Sequence, residues 1–239
     1  MSVLVVGASG ATGRLLVEQL LDQGETVKAV VRSTASLPER LTNDERLIVT
    51  EASLLDMTDE DLEAQILGCH AVASCLGHNI SFKGIFGHPR RLVTDSVKRL
   101  CKAIEKTDSA KPIKFVLMNT TGNQNRQAGE KITFSHNIVV SLLRCILPPH
   151  ADNEHAAEFL QSHYSASDNG VEWVAVRPDA LIDEEAVTPY NVFESPVRDP
   201  IFDSGKTSRI NVAGFMAKLI VNDNEWKKWQ GHMPVVYNA

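Results

Sequence analysis

The run Gly7-Ala8-Ser9-Gly10-Ala11-Thr12-Gly13 spaces its glycines as G-x-x-G-x-x-G. Glycines at such spacing permit a tight turn and let a ligand approach the backbone closely. A helix opening at the same point adds unpaired N–H groups and the positive end of its dipole, which together suit a pyrophosphate. Ser9, Ala11 and Thr12 would line that turn with the glycines. The pattern differs from the commoner G-x-G-x-x-G, but the physics is shared. Alone it is a weak signal. It gains weight here because an apolar strand-like run precedes it and a helical pattern follows it.

A dinucleotide site of the NAD type needs an acidic residue about 20 positions beyond the glycines to hold the ribose 2′-hydroxyl. This chain instead has Val31-Arg32-Ser33-Thr34. A guanidinium with flanking hydroxyls suits a 2′-phosphate through charge-assisted hydrogen bonds. Arg14, just past the last glycine, is placed to reach the same group. The expected cofactor is therefore NADP(H) rather than NAD(H).

In an open parallel sheet, ligands lie at the carboxyl ends of the strands. Asp56 and Met57 follow the third expected strand and would flank the adenine. Leu76 and Gly77 follow the fourth, where Gly77 lets the backbone approach the ribose. Asn119, Thr120 and Thr121 follow the fifth, where the nicotinamide should lie. Thr120 would hydrogen-bond the carboxamide or the substrate. His155 and Glu158, on a helix at the same edge, are the candidates for relaying a proton, although both also suit a solvated helix face.

The elements that must position these residues follow from periodicity. Residues 2–6, 26–31, 46–50, 70–76, 113–118 and 171–176 read as short apolar strands. Residues 11–23, 59–67, 89–106, 134–147 and 153–165 read as helices between them, the fourth ending at Pro148-Pro149 and the last capped by Asn153. Cationic Arg90 and Arg91 open the helix at Pro89, which the dipole disfavours. The alternation predicts an α/β Rossmann-type fold, a doubly wound parallel sheet in a single domain over 1–239. Beyond Pro178 the periodicity lapses, and 179–209 reads as a substrate-side lid. Its Tyr190, Phe193 and Phe202 would stack on a planar substrate or, as readily, pack as core aromatics. A helix over 211–220 and a terminal strand over 235–237 complete the small C-terminal annex. Trp226 and Trp229 are expected to anchor the tail.

The 239 residues are 43% hydrophobic and 23% charged, a globular balance that excludes a disordered or fibrous chain. A net charge of −6 leaves no cationic surplus for a phosphate backbone, so no nucleic-acid partner is expected. No apolar run approaches the roughly 20 residues of a membrane helix, and the start lacks a cationic leader, which points to a cytoplasmic protein. The four cysteines (69, 75, 101 and 145) form no C-x-x-C pair and the histidines no cluster, so no metal is expected. The expected partner is a small-molecule substrate, with monomer and homodimer both open.

With these residues in view, the chain resembles the atypical short-chain dehydrogenase/reductases. Within them it is similar to the NmrA-like NAD(P)H-binding group, which includes NADPH-dependent flavin and biliverdin reductases. The resemblance rests on the glycine turn with Arg32, on Leu76-Gly77, and on Val174-Ala175-Val176-Arg177-Pro178 after Gly170. It extends through residues 153–159 (NEHAAEF) and 207–216. It implies that Pro178 also touches the cofactor. One departure matters: classical relatives use Tyr-x-x-x-Lys as acid, whereas Tyr164 is followed at that spacing by Asp168.

Two functions fit. One is an NADPH-dependent reductase of a conjugated or carbonyl acceptor, flavin-, quinone- or bilin-like, which needs little acid catalysis. The other is an NADP(H)-sensing regulator without turnover, consistent with the missing Tyr-Lys pair.

Overall fold

The computed structural model describes residues 2–78, 87–125, 129–130, 148–164, 170–199 and 203–239. The strands are β1 (Ser2–Val6), β2 (Thr26–Val31), β3 (Leu47–Glu51), β4 (Cys69–Ser74), β5 (Ile113–Met118), β6 (Val171–Pro178), β7 (Ala180–Ile182), β8 (Tyr190–Phe193), β9 (Lys206–Ser208) and β10 (Val235–Asn238). The helices are α1 (Ala11–Asp22), α2 (Glu39–Thr42), α3 (Asp59–Ile66), α4 (Leu92–Glu105), α5 (Pro148–His163), α6 (Arg209–Val221) and α7 (Asp223–Trp229).

The main sheet runs β3-β2-β1-β4-β5-β6-β10-β8. Its strands pair in parallel except for the antiparallel edge pair of β10 with β8. This is the expected Rossmann-type α/β sheet, with its order reversing between β1 and β4. At that switch point the carboxyl ends of two neighbouring strands part and leave a crevice. β1 is buried at every position, as a strand covered on both faces must be. One face packs Leu16 and Leu20 of α1 against Phe215 of α6 and Trp226 and Trp229 of α7. The other packs Leu62 of α3, Leu100 of α4 and Leu160 of α5 over Phe115. The two tryptophans are each 3% exposed and do anchor the tail.

Three expectations need correction. The stretch 179–209 is not irregular throughout: β8 extends the main sheet, and β7 and β9 pair with each other. These strands are three or four residues long, too short for alternation to show, and β8 is further masked by Pro189 and Pro196 on either side. Tyr190 and Phe193 accordingly pack edge-on against Phe215 and Tyr237. Pro148-Pro149 begin a helix instead of ending one, since proline's missing N–H costs nothing in a first turn. Asn153 is therefore inside α5 and caps nothing. The helix expected from Pro89 starts at Leu92, with Arg91 in the cap position. The helix expected over 134–147, Phe202 and Cys145 lie outside the described residues.

Candidate functional site

The glycine turn joins β1 to α1. Gly7 has φ +74°, and a Cβ there would stand 2.6 Å from the Cys75 carbonyl carbon. A Cβ on Gly13 would stand 2.1 Å from the Gly7 carbonyl oxygen. Both residues must therefore be glycine for the turn to sit against the end of β4. The Gly10 N–H donates to the Gly7 carbonyl at 3.0 Å, and the Arg14 N–H to the Gly10 carbonyl at 3.0 Å. The N–H groups of Ala11, Thr12 and Gly13 fall before that first helical bond. Gly10 offers no side-chain cap and the first turn carries no acid. The turn thus keeps backbone donors and the positive helix end for an anion. Ser9 is half-buried beside it, Thr12 is buried, and Ala11 and Arg14 are exposed.

At the end of β2, Arg32, Ser33 and Thr34 are exposed. Arg32 forms no ion pair among the described residues. Glu51, which ends β3, accepts the Thr34 N–H at 2.9 Å. That amide and the Thr34 hydroxyl hold the Glu51 carboxyl below the usual range. Next to them a cavity of about 360 Å³ is lined by Asp56 and Met57 together with Thr50, Ala52, Ser53, Asp61 and Gln65. The two residues expected to flank an adenine thus share one concave surface.

At the end of β4, Leu76 is half-buried and Gly77 exposed. His78 follows and places Nε2 2.8 Å from Asp152 Oδ2. Asp152 also accepts the Val93 N–H at 2.8 Å and the Thr94 N–H at 3.0 Å. It thereby caps α4, whose own cap residue supplies no side-chain bond. This answers the dipole question raised by Arg90 and Arg91: the carboxylate on the helix end comes from α5. Burial opposes ionisation of Asp152, but His78, Thr94 and Val93 outweigh it and hold the carboxyl below its ordinary value.

Asn119 is buried and spent on structure. Its Nδ2 donates to the Asn153 carbonyl at 3.0 Å, and its Oδ1 accepts the Thr120 N–H at 2.8 Å. Thr120 is half-buried, and its hydroxyl oxygen accepts the Gly122 N–H at 3.3 Å. Thr121 donates to Asp179 Oδ1 at 3.1 Å, and Asp179 Oδ2 accepts the Gly205 N–H at 2.7 Å. Burial pushes the Asp179 carboxyl up. Pro178 is buried, and its carbonyl accepts the Thr121 N–H at 3.1 Å. His155 and Glu158 are exposed on α5, whereas Ala156, Ala157 and Leu160 form its buried stripe. The structure brings the glycine turn, Arg32, Asp56, Gly77 and Thr120 to one sheet edge and leaves His155 and Glu158 on the solvent side of their helix. No group of three or more metal-ligating side chains gathers among the described residues.

A family model described as NAD(P)H-binding matches residues 7–223. The chain belongs to this NAD(P)H-binding family. The resemblance to the atypical, NmrA-like short-chain dehydrogenase/reductases fits that assignment. No curated protein matches the chain significantly. Among solved structures, an oxidoreductase of Lactococcus lactis is 18% identical, with a TM-score of 0.68, over 100% of this chain and 91% of that one. A short-chain dehydrogenase/reductase of Veillonella parvula in complex with NADP is 14% identical, with a TM-score of 0.70, over 99% and 94%. A Streptococcus pneumoniae protein provisionally named an NADH-flavin reductase is 16% identical, with a TM-score of 0.68, over 100% of both chains. Likeness at these identities establishes the shared fold.

In this NAD(P)H-binding protein the fit of the cofactor rests on its own geometry. A Cβ at Gly7 would meet the Cys75 backbone and one at Gly13 the Gly7 carbonyl, so the two glycines let the turn close with the unbonded amides of α1 beside the end of β4, donors that suit a pyrophosphate. Sequence reasoning passed over Ser53, Glu51, Asp152 and Asp179, and it included His78 in the run after the fourth strand without giving it a role. Ser53 sits three residues before Asp56, and the strand-end rule that selected Asp56 covers it as well. The others carry no periodic signal, because their partners lie far away in the chain.

No described helix is long and apolar enough to cross a membrane.

Proposed function

We propose that the protein is an NADPH-dependent reductase of a small conjugated or carbonyl acceptor, with a flavin, quinone or bilin as the type. The observation that carries this reading is Arg32, exposed beside the glycine turn and without an ion pair among the described residues. An unneutralised guanidinium at the end of β2 suits a 2′-phosphate, as an acidic residue there would suit a 2′-hydroxyl. Gly7, Ser9, Gly10, Ala11, Thr12 and Gly13 would hold the pyrophosphate. Arg14, Arg32 and Ser33 would hold the 2′-phosphate, and Ser53, Asp56 and Met57 the adenine. Leu76, Gly77, Asn119, Thr120, Thr121 and Pro178 would border the ribose and nicotinamide.

When bound, the reduced nicotinamide supplies a hydride. The chain's own contribution is positioning and exclusion of water. Thr120 uses its oxygen as an acceptor, so its O–H is available to a carboxamide or a substrate carbonyl. A conjugated acceptor places little demand on a protein acid, which accords with the absent Tyr-x-x-x-Lys. The buried thiols of Cys69 and Cys101 suit a reducing compartment such as the cytoplasm.

The test is NADPH consumption with flavin, quinone and bilin acceptors, alongside titration of NADPH into wild type and Arg32→Ala. Turnover with at least one acceptor, and a roughly tenfold weaker NADPH complex in the variant, are expected. A regulatory reading draws on one observation: Asn119, His78 and Asp152 are committed to the fold's own hydrogen bonds. It predicts unequal affinity for NADP⁺ and NADPH with no turnover on any acceptor.

A further inference from the structure

β2 and β3 run in parallel with Val31 opposite Glu51. Arg32 is the next residue after Val31, so a cation and an anion leave the same sheet edge on neighbouring strands. Both are exposed. They do not pair: the Glu51 carboxylate turns to the Thr34 N–H at 2.9 Å, and Arg32 has no ion pair among the described residues. Two groups at one mouth therefore act on whatever enters it, with opposite preferences.

A ribose 2′-phosphate carries about −1.5 to −2 charge at neutral pH and needs donors. Arg32 attracts it. Glu51 repels it and has already taken the Thr34 amide, a donor that a phosphate oxygen would use. A bare 2′-hydroxyl is different. It donates to a carboxylate, which is why sites for the unphosphorylated dinucleotide carry an acid near this point. Here the acid stands one strand over from its usual place. The Thr34 amide favours the ionised form of Glu51, so the charge is present at neutral pH.

The geometry points to Glu51 as a selectivity residue that limits the preference for the phosphorylated dinucleotide and keeps the site open to NADH. This rests on the reading of Arg32 given above and deepens it: the protein accepts both reduced dinucleotides, with Arg32 and Glu51 setting the ratio.

The experiment is titration of NADPH and of NADH into the wild-type protein, Glu51→Gln and Glu51→Ala, followed by calorimetry. Glutamine keeps an acceptor for the Thr34 amide and removes the charge. The NADPH complex of Glu51→Gln should tighten about fivefold while the NADH complex stays equal or weakens, so the selectivity ratio rises. At roughly 0.5 M salt, where exposed charges are screened, the difference between wild type and variant should shrink. Equal movement of both affinities would mean that Glu51 only fastens the loop and would overturn the inference. An unchanged ratio in both variants would do the same while leaving the Arg32 reading intact. Wild-type protein that binds neither dinucleotide would remove both.

Discussion

The carbonyl oxygen of Gly7 stands 2.1 Å from where a Cβ on Gly13 would be, so the two glycines close the turn against each other through backbone alone. Neither partner is a flexible side chain that could swing away. Gly13→Ala must displace the Gly7 carbonyl or the start of α1, and the amides of α1 move with it. The expected outcome is a loss of about 1–3 kcal/mol of stability together with at least tenfold weaker NADPH binding. Gly24 is the control, with φ +85° and nothing within 4 Å of its Cβ. Gly24→Ala should cost about 1 kcal/mol and leave the affinity unchanged. Thermal melts and titration of the two variants decide the matter.

Asp152 joins three elements by accepting from Val93 and Thr94 of α4 and bonding His78 beyond β4. Asp152→Ala leaves two buried helix amides and an imidazole without their acceptor, an expected loss of about 3–5 kcal/mol. Asp152→Asn retains part of the geometry and should lose less. The acid dependence has a definite sign. The folded-state carboxyl titrates below its ordinary value, so its stabilisation is complete above about pH 4 and disappears as pH falls through the lower folded value. Wild type should lose more stability than Asp152→Asn in that window. Urea denaturation at a series of acid pH values measures the difference, and parallel curves for the two proteins would contradict it.

The amino-terminal half was legible in the sequence because its code is local. Each parallel strand is a short apolar run, each helix has a 3.6-residue period, and Gly7, Gly10 and Gly13 fall between the first of each. Arg32, Asp56, Gly77 and Thr120 followed from the rule that strand ends face the ligand. What stayed hidden depends on distant partners. His78 meets Asp152 across 74 positions, and no pattern within a window can reveal that. The strands β7, β8 and β9 leave no legible signal because three or four residues do not establish a period. α5 was started too late because Pro148-Pro149 read as a terminator, although proline also opens helices.

Arg177 illustrates how far a motif can conceal a role. It belongs to the Val-Arg-Pro run that marks the resemblance, yet it is fully buried and serves as a hub. Nε donates to the Met233 carbonyl at 2.7 Å, Nη1 to the Asn123 carbonyl at 2.9 Å, and Nη2 to the Glu194 carbonyl at 3.1 Å. Both terminal nitrogens also hold Glu130, at 3.0 and 2.7 Å. Arg177→Lys cannot reproduce this fork and should lose about 3–5 kcal/mol. Arg177→Met strands the Glu130 carboxylate, so the double variant with Glu130→Gln should recover part of that loss. A double-mutant cycle by denaturation gives the coupling directly, and additive losses would refute it.

Asp179 should respond to pH in the sense opposite to Asp152. It ends the run after β6, buried, with Thr121 and Gly205 as its donors. Those bonds favour the carboxylate, but burial outweighs them and raises the folded-state value. A carboxyl raised on folding contributes most below its unfolded value of about 4, and that contribution is lost as pH climbs through the higher folded value. The stability of wild type relative to Asp179→Asn should therefore fall as pH rises above about 4, by no more than about 1.4 kcal/mol per pH unit for one proton. The same slope should appear in Asp152→Asn relative to an Asp152→Asn, Asp179→Asn double variant, because those two proteins differ only at Asp179. Denaturant titrations at half-unit pH steps settle the sign, and a flat or rising difference between wild type and Asp179→Asn would show that the two donors, and not burial, govern this carboxyl.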